Sequence, residues 1–310
     1  MLDKRSPQVV LEPNENYWNP ERKPKARIVF DNIISRAEAL ELVSDSIGKI
    51  DIVTELTPAE AERVANSKNA RVVRSDAKTV LVGVFNQTGS KSRWTDMRLR
   101  KALNQAIDRD AIVREAALGY GTVIPAMLVP GAFGYNEALN PYAHDPAAAK
   151  RLLQGSTVRI VAGETYRPVV EAIAKSLGSV GLQVTPVYTG APKDDNWDIW
   201  LVEHFDWSPE YPAGVVYREF FGKDGGFRKT KEDPAFERMY ARITATTDKA
   251  QQEALVRQME RYVYDQANVL FLYAPAKLYG VSKRVNFVPY KTTMLELAET
   301  GVAEQVAARP

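Results

Sequence analysis

The stretch Thr157-Val158-Arg159-Ile160-Val161-Ala162, then Tyr166 to Leu177, then Val184-Thr185-Pro186-Val187-Tyr188, decides the fold class. The outer pieces are β-branched runs of strand length, and the middle piece reads as a helix ending at Gly178. A strand, a helix and a strand in that order predict a βαβ unit, hence a parallel sheet with a right-handed crossover. The near-continuously apolar run from Asp198 to Val202 predicts a further strand, buried on both faces. The class is therefore α/β.

Upstream of that unit, Val80 to Phe85 reads as a strand that ends in Asn86. From Asp96 to Leu118 the residues Leu99, Ala102, Leu103, Ala106, Ile107 and Ile112 form an apolar helical stripe whose register shifts near Asp108. The glycines and prolines between Gly119 and Gly134 predict a long loop. Thr57-Pro58 and Asp145-Pro146 each place a capping side chain before a proline, which opens a helix, and Glu60 completes a capping box with Thr57. Short strands are expected at Val9 to Leu11, Arg27 to Phe30 and Ile50 to Val53, and a helix at Arg36 to Ser46 that closes at Gly48. Downstream, Pro234 to Thr244 and Lys249 to Tyr264 read as helices. Val269 to Tyr273 and Leu278 to Val281 read as strands.

The chain has 310 residues, enough for two domains or for one large lobe with part of another. Lysine and arginine number 41 against 39 aspartates and glutamates, a balance that gives no reason to expect nucleic acid as a partner. There is no cysteine, so disulfides, thiolate nucleophiles and thiolate metal sites are excluded. His144 and His204 are the two histidines, too few for a histidine-based zinc centre without carboxylates. No apolar run has bilayer-spanning length, and Met1 to Pro7 has no signal-peptide core.

Five segments, in order, resemble the oligopeptide/dipeptide-binding type (family 5) of extracytoplasmic solute-binding proteins of ABC importers. They are Asn14-Glu15-Asn16-Tyr17-Trp18; Ser46-Ile47-Gly48-Lys49-Ile50-Asp51; Phe85-Asn86 with Trp94-Thr95-Asp96-Met97-Arg98-Leu99-Arg100 and Ala106-Ile107-Asp108-Arg109; Asp145-Pro146 with Ala149-Lys150; and Val269-Leu270-Phe271-Leu272-Tyr273. The resemblance implies a class II periplasmic-binding-protein-like fold. Residues 1–30 would be a remnant of the first lobe, 31–274 a complete C-terminal lobe, and 275–310 the return to the first lobe. The N-terminal half of the family pattern is missing. The hinge strands are expected near Ile28 to Asn32 and near Phe271 to Leu278, with Tyr17-Trp18 packed beneath the hinge.

The same resemblance implies a receptor, not an enzyme. It would bind a peptide or other small solute in an inter-lobe cleft, with no cofactor, no catalytic residue and no metal ligand. Its partners would be ABC permease subunits at an extracytoplasmic, periplasmic location, with self-association or the missing half as further partners. Two other readings are a metal-dependent hydrolase centred on His204 and an interaction fragment without transport.

For ligand binding, the segment from Glu203 to Pro212 follows a buried strand at its carboxyl end, where open α/β sheets bind ligands. His204, Asp206, Trp207, Glu210 and Tyr211 combine aromatic walls with acids, which suits a ligand with an amine and an apolar group. Family members that bind peptides pair an Asp here with the ligand's amino terminus. Glu210 is the match, or Asp206 if the loop shifts register. A surface loop whose aromatics only pack on the lobe is the plainer alternative. Asn86 offers a donor and an acceptor at a strand end, or else bonds its own turn. Arg218 either takes a ligand carboxylate or pairs with Glu219 or Asp224. The charges of Asp96, Arg98 and Arg100 read as structural, and Asp108-Arg109-Asp110 as a cap or break of the helix with local ion pairs.

Overall fold

In the computed structural model, the described residues are 8–20, 26–45, 49–76, 79–89, 92–153, 157–205, 212–289, 297 and 300–302. The chain divides into two compact units, one made of 1–77 with 276–310 and the other of 78–275. The expected first boundary at 30/31 differs from the crossing at 77/78, whereas the expected return at 274/275 falls beside the crossing at 275/276.

The first unit contains strands β1 (Gln8–Leu11) and β2 (Ile28–Asp31), helix α1 (Arg36–Asp45), strand β3 (Ile52–Val53), helix α2 (Pro58–Ala65) and strand β4 (Ala70–Ser75). Helix α2 starts where the capping box predicts. Glu60 N donates to Thr57 Oγ1 at 3.2 Å, and Thr57 N donates back to Glu60 Oε2 at 2.8 Å. Leu40 and Val43 of α1 and Ala61 and Val64 of α2 are buried. β1 and β2 pair as an isolated antiparallel ribbon. Trp18 is 81% exposed and touches Tyr17 at a ring separation of 5.9 Å, so its expected packing beneath a hinge is not what the structure has.

The second unit runs through β5 (Thr79–Phe85), α3 (Met97–Ala106), the single turn α4 (Arg109–Ala111), β6 (Gly121–Val123), α5 (Pro146–Leu152), β7 (Thr157–Val161), α6 (Arg167–Ser179), β8 (Gln183–Val187), β9 (Ile199–Phe205), α7 (Val215–Phe221), α8 (Pro234–Ala245), α9 (Lys249–Asp265) and β10 (Val269–Pro275). Six strands form one sheet in the order β6-β10-β5-β9-β7-β8. β7 is parallel to β8 and to β9, as the βαβ reading predicts. β5 is antiparallel to both of its neighbours, β9 and β10, so the sheet is mixed. β5 is buried along its whole length. One of its faces packs with α3, α5 and α6 through Leu81, Leu103, Ala149, Ile160 and Ile173. Its other face packs with α7, α8 and α9 through Val82, Phe220, Phe236, Met259 and Phe271.

The chain then returns to the first unit as β11 (Lys277–Ser282), β12 (Val285–Asn286) and β13 (Gly301–Val302). β11 lies between β3 and β4. Arg284 clamps Asp51 with two hydrogen bonds, of 2.6 and 2.7 Å.

The charged segment between Trp94 and Arg109 holds the second unit together. Trp94 Nε1 donates to Asp198 Oδ1 at 2.7 Å, and its ring stacks on Phe85. Asp96 N-caps α3 and binds Arg98. Arg100 turns inward and donates to the carbonyls of Trp94, Gln266 and Ala267. Asp108 caps the next turn, with Ala111 N donating to it at 2.8 Å. Arg109 forms no local ion pair, contrary to expectation. It is 5% exposed and donates to the carbonyls of Phe271, Asn104, Ile107 and Tyr142. Burial lowers its pKa to about 10.

Candidate functional site

The register of β5 against β9 fixes where each expected site residue lies. Val80 stands opposite His204, Phe85 stands opposite Ile199, and Asn86 N donates to Asp198 O at 2.9 Å. Asn86 and His204 are thus at opposite ends of one strand pair, about 20 Å apart at the usual rise per residue. They do not belong to one site.

Asn86 is spent on its own turn. Its Nδ2 donates to the carbonyls of Asp195 and Trp197, and its Oδ1 accepts from Thr88 and Gly89. The side chain ties the end of β5 to the segment that precedes β9. His204 is 3% exposed, with its ring 5.1 Å from that of Phe220. It shares a face of β9 with Trp200 and Val202, so it lies within the packed layer under α7. Arg218 Nη1 meets Glu219 Oε1 at 2.6 Å. Of its two expected partners, the intramolecular one is in place. Asp206, Trp207, Glu210 and Tyr211 lie outside the described residues.

The carboxyl ends of β7 and β9 gather a different set of groups. β7 pairs with β9 only at Ile160↔Ile199 and Val161↔Trp200, and β9 then runs on to Phe205. The turn after β7 is tied to the end of β8: Ala162 N donates to Val187 O at 3.0 Å and Gly190 N to Ala162 O at 2.9 Å. The turn carries Tyr166 over the projecting part of β9, where its hydroxyl donates to Glu203 Oε2. Glu203 belongs to the β9 face that also bears Ile199 and Leu201. On β10, Tyr273 is buried nearby. Burial, and then the charge of Glu203, push its hydroxyl well above the ordinary tyrosine value. Gly121 of β6 stands against the Tyr273 ring; a Cβ there would be 2.6 Å from Tyr273 Cδ2. On the opposite face of β9 from Glu203, Trp200 Nε1 donates to Gly190 O at 2.8 Å, and its ring packs on Phe227. Outside this group, Arg167 stacks on Tyr188 with its guanidinium 4.0 Å from the ring centroid and pairs with Glu164.

This is a rigid platform of hydroxyl, carboxylate and aromatic groups, and the segment 206–211 continues directly from it. The pattern of the sequence missed Tyr166. The signal was present: Tyr166 lies in the first turn beyond the carboxyl end of a parallel strand, where α/β sheets place ligand-facing groups. Among the described residues no three His, Cys, Asp or Glu side chains come together as a metal site, and no helix is long and apolar enough to cross a membrane.

Residues 1–227 match the family model described as bacterial extracellular solute-binding proteins, family 5 Middle. The chain is 23% identical over 297 residues to a probable D,D-dipeptide-binding periplasmic protein of Escherichia coli (strain K12). That match covers 90% of this chain and 56% of the relative, so the chain spans a little over half the length of that relative. It is similar to a periplasmic binding protein of Helicobacter pylori in complex with the peptide STSA, with a TM-score of 0.74, 21% identity and coverage of 92% of this chain and 58% of that one. It is also similar to a Brucella suis protein in complex with Fe(III)-EDTA, with a TM-score of 0.78, 18% identity and coverage of 94% and 64%. These likenesses show the fold to be mixed α/β and of the periplasmic-binding-protein type.

Proposed function

Because the chain belongs to family 5 of the bacterial extracellular solute-binding proteins, we propose that it forms part of the receptor of an ABC importer. It takes up a peptide at the carboxyl end of β7 and β9 and leaves it chemically unchanged. Residues 78–275 act as the C-terminal lobe, and 1–77 with 276–310 belong to the first lobe. The location is extracytoplasmic, and the protein partner is the permease.

One observation carries the peptide reading. The parallel pair β7–β9 ends beside the Tyr166–Glu203 hydrogen bond, immediately before the acidic and aromatic run Asp206-Trp207-Ser208-Pro209-Glu210-Tyr211. Acids flanked by aromatic rings suit an ammonium group followed by apolar side chains better than they suit an anionic chelate. His204 supports no hydrolase, because its ring is packed against Phe220 inside the layer.

The test is thermal melting with an unblocked alanine tripeptide, its N-acetylated form and a ferric chelate. Ligand linkage raises the melting temperature according to concentration over affinity. The proposal expects a rise with the unblocked peptide that acetylation removes and that Glu210→Gln reduces. A rise with the chelate alone, or equal rises with both peptides, sinks the ammonium-recognition reading.

A further inference from the structure

At the end of the six-stranded sheet remote from β7 and β9's carboxyl ends, an open pocket of about 230 Å³ is walled by Gln87, Arg100, Phe221, Thr230, Lys231 and Phe236. Gln87 follows Asn86 at the end of β5, and its backbone N donates to Lys229 O at 2.7 Å. Its side chain is 7% exposed, yet Nε2 has no hydrogen-bond partner. Buried amide donors are rarely left in that state, and those that are call for an explanation.

Arg100 stands on the same wall. Nε, Nη1 and Nη2 each give one hydrogen to a carbonyl, and Nη1 and Nη2 each keep a second N–H. Phe221 and Phe236 form an apolar floor, edge to face at 6.0 Å. The acid nearest this floor, Asp233, is committed: its Oδ1 caps α8 at Ala235 N and Phe236 N, and its Oδ2 accepts the Tyr262 hydroxyl at 2.5 Å. Lys231 and Glu232 are exposed on the rim.

We infer that this pocket is a second small-molecule site, which takes a small monocarboxylate with a short apolar tail. Gln87 Nε2 is sealed from solvent here, so binding turns this amide toward the pocket, where a carboxylate oxygen accepts it beside the Arg100 guanidinium; Lys231 adds charge from the rim, and the tail lies on Phe221 and Phe236. The volume is below the roughly 300 Å³ at which drug-sized ligand pockets begin, which limits the ligand to a few heavy atoms. Glu232 on the rim repels a second negative charge, which disfavours dianions such as phosphate. The site stands at the opposite end of the sheet from the peptide platform and does not depend on it.

The experiment is thermal melting in sodium propionate against sodium chloride of equal ionic strength, with n-propanol as the tail-only control. Propionate is expected to raise the melting temperature above both controls. Gln87→Leu keeps the volume but removes the donors, and is expected to abolish that rise. Lys231→Ala changes an exposed side chain and is expected to weaken propionate about fivefold. No rise over chloride, or the same rise in both variants, overturns the proposal. If Gln87→Leu does not fold, the Lys231→Ala titration decides it alone.

Discussion

Arg109 and Asn104 hold each other in the interior of the second unit. Arg109 Nη2 donates to Asn104 Oδ1 at 2.8 Å, and the same oxygen accepts Phe271 N at 3.1 Å. Asn104 Nδ2 in turn donates to Val269 O at 3.0 Å. The pair therefore bonds α3 to the backbone of β10. Arg109→Met leaves several buried carbonyls without their donor, each costing about 1 kcal/mol or more, so a loss of about 3 kcal/mol is expected in urea unfolding. Asn104→Ala is expected to cost a similar amount. The double variant is expected to cost less than the sum by about 1 kcal/mol, because both residues serve one network.

Glu260 gives the protein a pH dependence of opposite sign to that of a salt-bridged acid. Its carboxylate is 1% exposed and accepts Leu128 N at 3.3 Å and Asn136 N at 2.5 Å. Burial pushes its pKa up to about 7, from 4.5. Between those values the unfolded chain has lost the proton and the folded chain keeps it, so stability falls as pH rises through this window. The loss from about pH 5 to about pH 8 is of order 3 kcal/mol at most. Glu260→Gln is expected to flatten that slope in urea unfolding at several pH values. An unchanged slope would show that other groups set it.

Gly134 lies in the loop that Glu260 pins. Its φ is +85°, and a Cβ would come within 2.3 Å of Val256 Cγ1 on α9. Gly134→Ala therefore combines a disfavoured backbone with a clash in a packed layer. It is expected to destabilise by about 2 kcal/mol or more, read as a lower melting temperature. Gly131→Ala in the same loop has the backbone term without the clash, since no atom lies within 4 Å of its added Cβ. Its loss is expected to be about half as large.

Arg218→Ala removes a half-exposed ion pair with Glu219. Such pairs contribute about 1 kcal/mol or less, and a stability change within that limit is expected. Peptide affinity is expected to change less than about twofold. A loss of tenfold or more by calorimetric titration would mean that Arg218 leaves Glu219 to bind the ligand.

Local chemistry made much of this fold legible. Capping side chains followed by proline marked the starts of α2 and α5 at Thr57 and Asp145. The β-branched runs marked β7 and β8. Elements that depend on distant partners were not legible. β4, with Arg71 and Arg74 breaking its apolar pattern, exists because β11 pairs along its full length from some 200 residues away in the chain. β6 is three residues inside a run of glycines and prolines, and β10 holds it. Helix α7 follows Gly214, whose φ of +76° turns the chain into it from an aromatic segment that shows no helical period of its own. The separation of Asn86 from His204 was hidden for the same reason, since it follows from the antiparallel register of β5 on β9.

The two crossings of the chain impose an order on biosynthesis. Residues 78–275 are one unbroken stretch, so every partner strand of the six-stranded sheet has left the ribosome once Pro275 has. The three-stranded sheet of the first unit cannot close then, because β11, its middle strand, is the next to emerge. During elongation the unit encoded first is therefore the unit completed last. A nascent chain whose residue 275 has just emerged from the ribosome has a complete second unit and still unpaired β3 and β4, the interval in which a chaperone has most to shield.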